Sequence, residues 1–118
     1  MSTRLDQVNK NIQRVFGEIL QQEADLPTNV LVTISRVDTT PNMRHTHVWL
    51  YIQPLSAAKK TMESLTEQLF TLQGSLNRML DRKRIPRVAL RIDYGAEHAD
   101  KIERRLNQLR QDEDTESS

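Results

Sequence analysis

Residues Val30–Gln53 read VLVTISRVDTTPNMRHTHVWLYIQ. The first third is dense in β-branched residues, which fit a pleated, half-buried surface. On a strand over Val30–Asp38, Val30, Val32 and Ile34 share one face, whereas Val37 falls on the other. A β-bulge near Ser35–Arg36 would return Val37 to the buried side. Thr40, Pro41 and Asn42 are turn formers. Beyond them Thr46, Val48, Leu50 and Ile52 alternate with His45, His47, Trp49 and Tyr51. The first set reads as core, and the second as a face turned to water or to a partner. The segment predicts two strands joined by a short loop, with Pro54 closing the second.

The flanking segments are helical. Leu5, Val8, Ile12, Val15, Phe16, Ile19 and Leu20 recur at spacings of three and four, which marks one face of an amphipathic helix. Ser2 or Thr3 can cap it, Asp6 suits its positive end, and Pro27 follows its last apolar position. From Leu55 to about Arg84 the same spacing runs through Met62, Leu65, Leu69, Leu72, Leu76 and Met79/Leu80. Gly74 interrupts it, so two helices, or one helix broken between Phe70 and Gly74, are expected. RVALRID (Arg87–Asp93) alternates as a third strand, with Val88, Leu90 and Ile92 inward. Tyr94–Gly95 is a turn, and Ala99, Ile102, Leu106 and Leu109 predict a last helix, expected to pack over Trp49. The expected order is α-β-β-α-α-β-α, an α+β layer of three strands with helices on one face. Residues 1–111 form the domain, and 112–118 an acidic, disordered tail dispensable for folding.

Composition excludes several classes of function. The chain has 118 residues and no Cys, so disulfides, thiol nucleophiles and thiolate metal sites are absent. No stretch is apolar for long enough to span a membrane, and the start lacks the apolar run of a secretory signal, so a cytoplasmic protein with no membrane partner is expected. There is no glycine-rich phosphate loop, no nucleophile elbow and no carboxylate pair with a local reason for burial, so no enzyme is expected. His45 and His47 could hold a metal only with a third ligand, for which His98 or scattered carboxylates are the candidates; no metal and no cofactor are expected. The net charge of +1 conceals an asymmetry. The tail DEDTESS holds four acids, and without it the body carries 17 bases against 12 acids, a mild pointer to an anionic partner.

Leu31–Ile52 resembles the signature strand pair of the ribosome-binding factor A family. Leu31, Val32, Thr33, Val37, Pro41, Arg44 and Val48 match directly, and Asp38, Asn42, Met43 and Leu50 are conservative changes. Arg4, Val8, Ile12 and Ile19–Leu20 are similar to the family's first helix, RIPRVALRID (Arg84–Asp93) to its last strand, and EHADKI (Glu97–Ile102) to the start of its last helix. The element order is that of a KH-like fold of the bacterial type. One departure stands out: the family marks a kink between its central helices with Ala-x-Gly. Here either Gln68–Leu69–Phe70 or Leu72–Gln73–Gly74 falls at that place. The resemblance implies a non-catalytic assembly factor that binds the immature small ribosomal subunit and its rRNA. It implies support for late rRNA maturation, including the 5′ end region, by reshaping RNA near the decoding region and leaving the mature subunit; a monomer is expected.

The candidate RNA-binding residues are basic. Arg78, Arg82, Lys83, Arg84, Arg87 and Arg91 face Asp81 alone over residues 78–91. Such a cluster neutralises phosphates and releases counterions; as a bland alternative, cations simply favour a helix C-terminus. Arg4, Lys10 and Arg14 lie off the apolar stripe of the first helix. Lys59 and Lys60 open the second helix, where cations are mildly unfavourable, and Arg44 follows the turn. The runner-up is a protein-interaction or dimerisation module using the Trp49/Tyr51 sheet face.

Overall fold

Helix α1 (Arg4–Gln22) begins at Thr3, where the Asp6 N–H donates to Thr3 Oγ1 at 3.1 Å and the Thr3 N–H donates to Asp6 Oδ2 at 3.0 Å. This reciprocal capping box satisfies two amides that have no helical partner. The computed structural model describes residues 3–95 and 104–109. Strands β1 (Leu31–Thr39), β2 (His45–Gln53) and β3 (Arg87–Asp93) form one sheet in that order, and α2 (Ala58–Met79) follows a 3₁₀ turn at Leu55–Ala57. β1 and β2 are antiparallel, and β2 and β3 are parallel. A parallel neighbour requires a crossover connection, and α2 supplies it.

The β1–β2 register shifts between Ile34 and Arg36, where the sequence placed a bulge, and Val37 is buried as a result. Thr46, Val48, Leu50 and Ile52 are all buried, while His47, Trp49 and Tyr51 are half-buried. Both helices pack on the first face. Val8, Ile12, Phe16 and Ile19 of α1 meet Leu65, Leu72 and Leu76 of α2 and the inner side chains of the sheet in one core. The fold is α+β and KH-like, with helices on one face of a three-stranded sheet. No helix among the described residues is long and apolar enough to cross a membrane.

Three expectations are corrected. First, α2 runs unbroken from Ala58 to Met79, as one helix with no break between Phe70 and Gly74. Leu65, Leu72 and Leu76 are at most 1% exposed along one face. Each buried leucine contributes about 1.5–3 kcal/mol, against about 1 kcal/mol for a mid-helix glycine, so continuity of the stripe prevails. Gly74→Ala is therefore expected to stabilise the protein by about 0.5–1 kcal/mol, read from the denaturation midpoint. The added Cβ would meet only the movable Arg78 Nη1, at 3.4 Å. A lowered midpoint would restore the hinge.

Second, α2 stops at Met79 and does not reach Arg84. Leu80 turns extended (φ −89°, ψ 125°) and tucks into the core at 9% exposure. The chain must return from the end of α2 to the start of β3, and a helix to Arg84 would leave only Ile85 and Pro86 for that return. Third, residues 104–109 are helical, but Leu106 and Leu109 are 49% and 55% exposed. These two side chains do not cover Trp49. Arg36 does, with its guanidinium 4.7 Å from the ring centroid. Ala99, Ile102 and the tail 112–118 lie outside the described residues.

Asp93 closes the far end of the sheet. Hydrogen bonds from the Ser35 hydroxyl and the Gly95 N–H, with Arg36 nearby, hold its carboxyl below the usual carboxylate range. Hydrogen bonds from the Thr3 backbone and hydroxyl, aided by Lys10, do the same for Asp6. A depressed folded-state pKa contributes stability above the unfolded pKa, and that contribution is lost as pH falls through the folded value. Thermal unfolding is expected to hold steady from neutral pH down to the ordinary carboxylate range, then decline below it. Asp93→Asn should lessen that decline.

Candidate nucleic-acid interface

Three segments meet at one end of the sheet. They are the start of α1, the β1–β2 loop and the return loop over residues 80–86. The β1–β2 loop is tied by its own polar groups. Met43 N–H donates to the Thr40 carbonyl at 2.9 Å, and Arg44 N–H donates to Asn42 Oδ1 at 3.0 Å. These bonds hold Met43 at φ 61°, a left-handed conformation that ordinary residues rarely adopt. Arg44 is thereby placed at the head of β2, and the Arg87 N–H donates to the Arg44 carbonyl at 2.9 Å. The two arginines start adjacent strands side by side.

The return loop is fastened from α2. Gln73 Nε2 donates to the Pro86 carbonyl at 3.2 Å, and the Val88 N–H donates to Gln73 Oε1 at 2.7 Å. One amide side chain thus pairs with the backbone as a neighbouring strand would. Gln73→Leu would leave a half-buried N–H and carbonyl unpaired, at about 1–3 kcal/mol. It is expected to lower the denaturation midpoint and weaken anion binding without changing any charge. Unchanged binding by a folded Gln73→Leu protein would show that the loop keeps its shape unaided.

Between these segments lies a groove of about 670 Å³, lined by Arg4, Leu5, Pro41, Asn42, Met43, Asp81, Arg82, Lys83 and Arg84. It continues past Met43, Lys83 and Arg84 into a second groove of about 580 Å³, which adds Arg44, His45, Ile85 and Arg87. Arg4, Arg44, Arg82, Lys83, Arg84 and Arg87 converge here, with Asp81 as the lone acid among the lining residues. Arg82 is half-buried and the other five bases are exposed. Shape and charge together suit a polyanion, because each guanidinium can grip a phosphate through two N–H groups.

The other sequence candidates lie elsewhere. Arg14 is 3.9 Å from Glu18, one turn along α1, and Lys10 faces the first-turn Asp6. Lys59 lines a cleft with Glu63 and Glu67 at the opposite end of α2, and Lys60 is exposed beside it. Arg78 lies on the exposed side of α2, where its Nη2 donates to Ser75 Oγ at 3.1 Å, and Ser75 donates to Glu23 at 2.7 Å. Arg91 is exposed on β3, away from the groove. Sequence reading missed Gln73, Asn42 and Met43. The Thr-Pro-Asn turn signalled the loop, but nothing local showed that α2 would reach across to fasten β3. Among the described residues, no group of three His, Cys, Asp or Glu side chains is placed to hold a metal. His98, the candidate third ligand, lies outside them.

Among the described residues the fold and the groove define a KH-like α+β module with a basic concave end. A profile of ribosome-binding factor A matches residues 4–106, and the chain belongs to that family. It is 30% identical over 110 residues to ribosome-binding factor A of Oenococcus oeni, covering 92% of this chain and 91% of the relative. It is 27% identical over 97 residues to that of Akkermansia muciniphila, covering 82% and 77%. The fold is similar to the crystal structure of ribosome-binding factor A from Thermus thermophilus. There the TM-score is 0.66 at 17% identity, over 75% of this chain and 93% of the other. A homology model of Thermus thermophilus ribosome-binding factor A, fitted into a cryo-EM map of a 30S complex with that factor, aligns with a TM-score of 0.58 at 19% identity, over 69% and 86%.

Proposed function

We propose that this protein binds the immature small ribosomal subunit and assists late maturation of its rRNA, including the 5′ end region. It acts as a cytoplasmic monomer and without catalysis. The observation that carries this reading is the convergence of six bases on one groove system with a single acid in its lining. The Thermus relative's 30S complex supports the same partner. The groove grips the sugar-phosphate chain, so binding is driven by release of counterions and holds RNA without cutting it. Lys10, Arg14, Lys59, Lys60 and Arg78 are left to contacts outside that groove.

The test is co-sedimentation of the purified chain with immature and with mature small subunits over a series of salt concentrations. Six phosphate contacts give a slope of log affinity on log salt of about −4 to −5. The expected result is that slope, with tighter binding to immature particles. Binding that ignores salt, or that prefers mature subunits, would overturn the reading.

A further inference from the structure

Phe70 is 91% exposed on the outer side of α2. A lone exposed aromatic is ordinary in itself, and its surroundings are what carry the argument. Phe70 lines a groove of about 710 Å³ with Gly74, Asn77, Arg78, Ile85 and Arg87, and no acid lines it. Gly74 follows one turn after Phe70 on the same helix face. A Cβ at Gly74 would meet only the tip of Arg78, at 3.4 Å, so the helix surface one turn from the ring is overlaid by a movable guanidinium. The missing side chain at Gly74 lets that guanidinium lie close to the helix beside the aromatic ring. Arg78 is steadied beside it by Ser75. Ile85 and Arg87 form the far wall, and both also line the basic groove.

We propose that this groove receives an unpaired base of the RNA strand held by the basic end. Phe70 stacks on the base, and Arg78 and Arg87 hold the flanking phosphates. The inference rests on the function proposed above and names the form of RNA: single-stranded at this point. In a duplex the base faces are sealed within the stack, so only an unpaired nucleotide can offer one to a ring. Glu23 stands behind Arg78 through Ser75, but two arginines and no acid among the lining residues favour a polyanion over an apolar protein segment. Continuity through Arg87 makes the strand already in the basic groove the occupant.

The experiment is fluorescence anisotropy with the full-length chain on two probes, a single-stranded oligoadenylate and an RNA duplex with the same number of phosphates. Phe70→Ala is expected to weaken single-strand binding about tenfold, to leave duplex binding within about twofold, and to keep the parental salt slope. Phe70→Trp should restore single-strand affinity. Parental affinity in Phe70→Ala, or an equal loss on both probes, overturns the stacking site. A parent that binds neither probe overturns the RNA reading itself, so the two failures are distinguishable. The surface position of Phe70 keeps the fold intact, which circular dichroism verifies.

Discussion

Replacing Arg82, Lys83 and Arg84 together by glutamate is expected to abolish measurable binding to immature small subunits while the protein stays folded. Each charge-assisted contact contributes about 1.5 kcal/mol, so losing three weakens binding about a thousandfold before repulsion is counted. The three new carboxylates add that repulsion beside a polyanion. The fold should survive because the segment is irregular backbone, with Lys83 and Arg84 exposed. The loop is anchored from Gln73 through Pro86 and Val88, not through its charges. Single alanine changes should each reduce the salt slope by about one unit. Titration onto purified immature subunits, with circular dichroism as the folding control, reads both effects. A folded triple variant with the parental slope would mean the loop faces away from RNA. Arg4 and Arg44 would then be the residues to change.

The largest loss of stability is expected from Phe16→Ala. Phe16 is fully buried, on the face of α1 that meets both the sheet and α2. Removing its ring takes away the transfer free energy and leaves a cavity, together about 3–5 kcal/mol. For a domain of this size that lowers the melting temperature by on the order of ten to twenty degrees. Trp49→Ala is the contrasting case. Had the last helix covered it, the loss would be as large. With Leu106 and Leu109 exposed and Arg36 over the half-buried ring, about 1–2 kcal/mol is expected. Calorimetry of the two variants gives the comparison. A Trp49→Ala protein as unstable as Phe16→Ala would show that the ring carries core packing after all.

Local pattern determined much of this protein. Period-two alternation over residues 45–53 assigned each side chain of β2 to a face, because a strand allows only two. The misfit of Val37 located the bulge, because one extra residue is the simplest way to reverse a face. Spacings of three and four marked the stripe of α1, and the charge run after residue 78 marked the basic segment. These properties depend on neighbours in sequence, so they can be read from it.

Tertiary structure decided the rest. Gly74 reads as a break in isolation, yet α2 stays whole because the leucines before and after it are buried against the same core. Arg82, Lys83 and Arg84 read as a helix end, yet they lie on a loop, because Leu80 turns inward and the chain has to come back beside β2. Twelve basic residues were candidates from type and position. Six of them share a groove system only because the start of α1, the β1–β2 loop and the return loop meet at one end of the sheet. Which charges become neighbours is set by chain crossings and by long-range hydrogen bonds such as those of Gln73. No local spacing encodes those, because they join residues that touch only after the core has formed.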